Sequence, residues 1–256
     1  MNDDWTPRYE AMQSLAKAAG QIALSYFDRG TPVETKADDS PVTIADRSAE
    51  KHLRDELTKL FRGDGFRGEE YGHEPGTTGY RWIIDPIDGT RCFVRNIPHW
   101  ATLVALEYQG KVVAGVAYEP VLDRMYRAAK GTGTFRDDKP IHVSTISTFD
   151  KSMACYPALR YFQKAGKESQ FLKLVNAVDR TRGFGDYYGF LLVAQGSCEL
   201  MVDHGVHIWD IAPLKIIVEE AGGTFTDWAG GDDLERPDCL ASNGRVHQEA
   251  LAILQS

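Results

Sequence analysis

Apolar positions along this chain recur with two different periods. Met12, Leu15, Ala19, Ile22 and Tyr26 follow steps of three and four, the spacing of an amphipathic helix that ends near Asp28-Arg29-Gly30. Residues 31–40 are polar, contain a proline and read as a loop. A second helix is expected over 43–61, with Ala45, Ala49, Leu53, Leu57 and Leu60 on one face. Thr43-Ile44-Ala45-Asp46 resembles a capping box at its start. From Arg67 onward short strands take over, expected at 66–68, 81–84, 101–108, 111–119 and 124–129, with Gln109-Gly110 as a hairpin turn. The second half alternates. Strands are expected at 153–156, 181–184, 199–202 and 224–227, and helices at 162–177, 187–194, 210–221 and 246–254. Gly222-Gly223 closes the third of these helices. Lys139-Pro140 opens a new segment, so the expected division is an N-terminal α+β half, 1–139, and a C-terminal α/β half, 140–256, meeting in a compact interface.

Composition narrows the function classes. The 256 residues are 43% hydrophobic and carry a net charge of −8 without basic runs, which argues against a nucleic-acid or anionic-membrane surface. The acidic N-terminus lacks the layout of a signal peptide, and no apolar run approaches the ~20 residues of a membrane span. Cys92, Cys155, Cys198 and Cys239 are scattered and form no zinc spacing, so free thiols in a reducing cytoplasm are expected. An acidic protein that handles an anionic substrate usually needs a cation to mediate the contact.

The segment Trp82-Ile83-Ile84-Asp85-Pro86-Ile87-Asp88-Gly89-Thr90-Arg91 suggests where that cation sits. An apolar run ends in two carboxylates, which repel each other and resist desolvation. Mg²⁺ takes one or two carboxylates, keeps waters and bridges to phosphate. The Ile87 carbonyl lies between the acids and is a candidate for a further ligand. Asp-Pro and Asp-Gly are also ordinary turn dipeptides, and that reading stays open. Glu69-Glu70 follows a short strand, so one acid faces the site and the other faces away, or both belong to a solvated loop. Gly89-Thr90 suits either a helix start that cradles phosphate or a plain threonine N-cap. Asp210 and Asp46 each read as helix-capping acids or as members of the same site. Lys36 is a solvated lysine or a counter-charge to the cluster. Cys92 is a small filler, and no pattern supports covalent catalysis. His99, His204 and His207 are not spaced as a metal pair.

Taken together, Gly68-Glu69-Glu70, Asp85-Pro86-Ile87-Asp88-Gly89-Thr90, Trp209-Asp210-Ile211-Ala212 and Ala221-Gly222-Gly223 resemble the inositol monophosphatase family of Mg²⁺-dependent, lithium-sensitive phosphatases. The resemblance runs from the segment around Lys36 to the last helix. It implies an α/β fold, a layered αβαβα sandwich of the inositol monophosphatase/fructose-bisphosphatase type, and a homodimer. It also implies two or three Mg²⁺ per site, with Mn²⁺ as a substitute. Glu69, Asp85 and the Ile87 carbonyl match one metal position, and Asp85, Asp88 and Asp210 a second. Thr90, supported by Asp46, matches the group that helps activate water, with Glu69 also on the catalytic side. The Gly89 and Thr90 amides match the phosphate cradle.

Thr90-Arg91-Cys92-Phe93 and Gly185-Asp186-Tyr187-Tyr188-Gly189 look like the histidinol-phosphate phosphatase subgroup, although that subgroup more often has Cys at the position of Tyr187. The substrate implied is a small phosphorylated molecule bearing an amine and an imidazole. Asp186 and Asp203 are then candidates for the amine, and Arg91 for a substrate contact or for organising the pocket. The rival expectations are an inositol or broad sugar phosphatase and, from another class, a non-catalytic binding protein on the same scaffold. An adenosine-bisphosphate phosphatase fits less well, because the Thr-Lys-Glu usual after its glycine is absent.

Overall fold

The N-terminal periodicities fold as two helices, α1 (Thr6–Leu24) and α2 (Ile44–Leu60), packed side by side. The computed structural model describes residues 5–30, 33–35 and 41–256. Inside the segment read as a loop, β1 (Val33–Thr35) pairs antiparallel with β2 (Pro41–Thr43). Lys36 lies outside the described residues. The capping box is present: Thr43 is the N-cap of α2, and the Asp46 carboxylate accepts its N–H at 2.8 Å.

Eight strands make the first sheet: β3 (Gly65–Gly68), β4 (Gly72–Glu74), β5 (Tyr80–Asp88), β6 (Ala101–Tyr108), β7 (Lys111–Glu119), β8 (Arg124–Ala129), β9 (Gly133–Arg136) and β10 (Lys139–Ile141). Their order is β10-β9-β8-β7-β6-β5-β3-β4, and only the β3–β5 pairing is parallel. A one-turn helix, α3 (Thr90–Phe93), separates β5 from β6. The second sheet holds β11 (Met153–Cys155), β12 (Arg180–Arg182), β13 (Leu200–His204), β14 (Thr224–Thr226) and β15 (Asp238–Ser242), in the order β12-β11-β13-β15-β14. The remaining helices are α4 (Leu159–Lys164), α5 (Glu168–Ala177), α6 (Asp186–Ala194), α7 (Ile208–Glu220) and α8 (His247–Gln255).

These elements stack as an αβαβα sandwich. α1 and α2 cover one face of the first sheet through Met12, Leu53, Trp82 and Val104. α6 and α7 fill the space between the two sheets, burying Phe190, Leu191, Leu214 and Ile217. α4, α5 and α8 close the far side around Phe162, Phe171 and Leu240. A helix caught between two sheets has no solvent side, which explains why α6 and α7 are apolar nearly all round. Among the described residues no helix is long and apolar enough to cross a membrane.

Three departures from the sequence reading have identifiable causes. The helix expected at 162–177 breaks into α4 and α5 at Gly166, whose φ of +66° no helix accommodates. β15 has every residue buried, so it shows no alternation to read. α7 begins at Ile208, two residues before the expected start, with His207 as N-cap.

His247 carries a pH prediction. It is 1% exposed, with Nδ1 2.9 Å from Ser242 Oγ and Nε2 3.0 Å from Thr226 Oγ1. Burial pushes its pKa down from 6.5 to about 4. The folded state therefore keeps the neutral ring while the unfolded chain takes up a proton. This contribution is complete above pH 6.5 and is lost as pH falls toward about 4. Relative to His247→Gln, the wild type is expected to lose on the order of 2 kcal/mol across that window, read from denaturant midpoints. Parallel curves for the two proteins would remove the histidine from the account.

Candidate active site

β5 continues through the segment read as a turn, and this correction explains the site. On β5, Asp85 pairs with Leu103 and Asp88 with Ala101, so three steps on one strand match two on β6. The extra residue is a β-bulge. Before it, Trp82 and Ile84 face the α1/α2 layer while Ile83 faces α7. Asp85, two residues after Ile83, shares the α7 face. Strict alternation would then send Asp88 to the α1/α2 face. The bulge reverses the parity: Ile87 joins the α1/α2 core, and Asp88 turns toward α6 and α7. Thr102 Oγ1 donates to the Pro86 carbonyl at 2.9 Å and pins the bulge.

The other acids arrive from separate elements. Glu69 follows β3, beside β5, with its N–H donating to the Ile84 carbonyl at 3.1 Å. Its carboxyl lies within hydrogen-bonding reach of Asp85. Asp210 is the third residue of α7 and not its N-cap, and its Oδ2 accepts the His207 N–H at 2.7 Å. Asp88 Oδ2 accepts the Tyr187 N–H at 2.6 Å, in the first turn of α6. Two helix N-termini thus face the cluster and favour negative charge there.

Asp85, Asp88 and Asp210 each bring a carboxylate oxygen within 4.8 Å of the others. Burial pushes the pKa of Asp85 well up, and the charges of Glu69, Asp88 and Asp210 push it further. Asp88 is raised by burial and by Asp186 and Asp210. Asp210 is raised to about 8, mainly by burial. The shifts express the cost of gathering these charges out of water. A hard cation offsets that cost, and an all-oxygen donor set fits one.

Beside the acids lies the Gly-Thr turn. Gly89, and not Thr90, is the N-cap of α3, with φ +86°. A Cβ there would come 2.8 Å from the His99 carbonyl. Gly89→Ala is therefore expected to cost about 1–3 kcal/mol of stability and to displace the turn. A thermal melt unchanged from wild type would contradict this. Thr90 Oγ1 donates to the Ile87 carbonyl at 2.9 Å, which leaves that oxygen a second lone pair. Asp46 is not hydrogen-bonded to Thr90. Its Oδ2 accepts from the Thr43 N–H and hydroxyl, while Oδ1 is buried with no hydrogen-bond partner. Burial raises its pKa to about 6, and the nearby Glu69 adds to the shift. The charge of Glu70 is felt by Arg47.

A cavity of about 90 Å³ opens next to Asp88 and Asp210, and Asp186 and Asp203 lie on its wall with Tyr161 and His204. Asp203 is buried, with Oδ1 accepting the His204 N–H at 2.7 Å, and burial holds its pKa well up. Burial also raises Asp186, while His99 and Arg91 draw it down. Arg91 itself is exposed, and its charge reaches this cavity through Asp186.

The model of the inositol monophosphatase family matches residues 4–256. The chain belongs to the inositol monophosphatase family. Membership makes it a phosphoric monoester hydrolase, in a family that uses metal ions. The histidinol-phosphatase of Chlorobaculum parvum is 39% identical and aligns over 93% of this chain and 92% of its own. That of Streptomyces coelicolor is also 39% identical, over 94% of each chain. Among solved structures, the extragenic suppressor protein suhB of Bartonella henselae superposes with a TM-score of 0.92 at 30% identity, over 98% of this chain and 99% of that one.

Some contacts at this inositol monophosphatase-type site escape sequence reasoning. The Tyr187 amide bound to Asp88 is a backbone group with no sequence signature. His99 was singled out by residue type, but its edge-on contact with Tyr188 and its tilted contact with Tyr187 join residues far apart in the chain and leave no local pattern. Glu50 also escaped: it lies four residues after Asp46 on α2, and only the structure shows that both are buried.

Proposed function

We propose that the protein is a Mg²⁺-dependent phosphomonoesterase that hydrolyses L-histidinol phosphate to L-histidinol and phosphate, a cytoplasmic step of histidine biosynthesis. One observation carries the substrate choice. The cavity beside the Asp88–Asp210 cluster adds two further carboxylates, Asp186 and Asp203, and among the described residues no lysine or arginine lines it. Such a wall suits an ammonium and an imidazole and repels a second phosphate. The histidinol-phosphatase relatives support the same reading.

Glu69, Asp85, Asp88, Asp210 and the Ile87 carbonyl are the residues that would hold the ions. Bound there, Mg²⁺ supplies charge neutralisation for the phosphoryl group and a lowered pKa for water. The chain's own groups do the rest. The Gly89 and Thr90 amides donate to phosphate oxygens at the start of α3. The Thr90 hydroxyl, already donating to Ile87, accepts from the attacking water and so orients it. Water oxygen bonds to phosphorus, the ester P–O bond breaks, and the leaving alkoxide takes up a proton. Glu69 and Asp46 are the nearby bases for the proton that water gives up.

A panel of phosphate esters assayed with Mg²⁺, then with added Li⁺, tests the proposal. The expected result is the highest kcat/KM for histidinol phosphate and inhibition by Li⁺. A higher kcat/KM for inositol phosphate would make the protein an inositol-type phosphatase instead.

A further inference from the structure

The turn that carries Glu69 is held from behind by a buried carboxylate that the chemistry above does not use. Glu50 lies one helical turn after Asp46 on α2, and its side chain is fully buried. Its Oε2 accepts the Glu70 N–H at 2.8 Å. Its Oε1 accepts the Tyr71 N–H at 3.3 Å and Arg54 Nε at 2.8 Å. Arg54 also donates to the Gly72 carbonyl at 2.6 Å, so both ends of the turn are tied to one helix. The Ile84 carbonyl takes the Glu69 N–H from the opposite side. Gly68 fits the same arrangement, because a Cβ there would fall 1.9 Å from Glu50 Oε1.

A buried carboxylate is a costly way to fill space. Its advantage is directional: an ionised acceptor makes short, strong bonds to consecutive amides. Glu69 is one peptide unit from the anchored Glu70 N–H, and metal–ligand distances tolerate only about ±0.2 Å. We propose that Glu50 is a positioning residue, which fixes the backbone behind Glu69 and thereby sets the affinity of the acidic cluster for its divalent cation. This rests on the reading of Glu69, Asp85, Asp88 and Asp210 as a metal site.

The test is Mn²⁺ binding to chelator-stripped protein without substrate, followed by the electron paramagnetic resonance signal of free Mn²⁺. Phosphatase activity against Mg²⁺ concentration is measured in parallel. In Glu50→Gln an amide NH₂ replaces one acceptor. The Mn²⁺ dissociation constant is expected to rise about 10- to 100-fold, with most of kcat recovered at saturating Mg²⁺. A variant with a lowered melting temperature but wild-type Mn²⁺ affinity would overturn the proposal and leave Glu50 a merely structural group. Should Glu50→Gln fail to fold, Arg54→Met removes the second tether and is expected to weaken Mn²⁺ binding in the same direction. Unchanged affinity there overturns the proposal equally. A wild-type protein that does not bind Mn²⁺ would overturn the metal reading along with it, which separates the two failures.

Discussion

Asp88→Asn is expected to lower phosphatase turnover by about 10³-fold or more while leaving the metal-free protein as stable as wild type or more so. Asparagine keeps the shape of the side chain and an oxygen to accept the Tyr187 N–H, held at 2.6 Å in the wild type. What it removes is one charge from a set of acids whose pKa values are raised by burial and, further, by one another's charges. In chelator, losing that repulsion stabilises the fold, and a relief of about 1 kcal/mol raises the melting temperature by about 2–4 °C at this chain length. Added Mg²⁺ then reverses the order, stabilising the wild type by mass action and the variant much less. Steady-state assays and melts with and without Mg²⁺ check both halves. Retained turnover in the variant would end the metal-site assignment. A fall in stability without metal would mean that Asp88 is structural first.

Asp203→Asn addresses substrate choice. The carboxylate is buried on the cavity wall, where its hydrogen bond from the His204 N–H is one an asparagine oxygen can also accept. Its charge is costly there, as the upward pKa shift from burial and from Asp186 indicates. A cationic substrate group offsets that cost and a neutral polyol does not. Replacing Asp203 is therefore expected to reduce kcat/KM for histidinol phosphate about 100-fold and to leave that for inositol phosphate within a few-fold of its starting value. Equal losses on both substrates would assign Asp203 to the architecture of the pocket. The Asp88 and Asp203 variants thus probe different things, since the first removes chemistry from every ester and the second selects among esters.

Much of this molecule was legible where structure follows from local pattern. β6, β7 and β8 coincide with their expected bounds, because each is a long strand bounded by turn residues. The capping box of α2 was legible because its two partners sit three residues apart. What escaped depends on neighbours distant in sequence. β15 is buried on every side and so lacks alternation. Asp210 read as an N-cap because its own neighbours suggest one, but packing between the two sheets lets α7 start earlier, at Ile208. The acids of the site were found by residue type and order. The side chains that orient them, Glu50 above all, were not, since a single acid on a helix gives no sign of which amides it meets.

The bulge in β5 means that part of the site is written outside the site. Asp85 and Asp88 share a face because β5 spends one more residue than β6 over the same stretch, opposite Thr102. One residue inserted into β6 beside Thr102 would even out the two strands and restore strict alternation. Every acid, the Gly-Thr pair and the whole Asp85–Thr90 hexapeptide would survive unaltered. Asp88 would nevertheless swing into the layer of Trp82 and Ile84, and Ile87 would take its place toward α7. A sequence can therefore keep the complete signature of this acidic cluster and lose the cluster itself through a change in a neighbouring strand that contributes none of its acids.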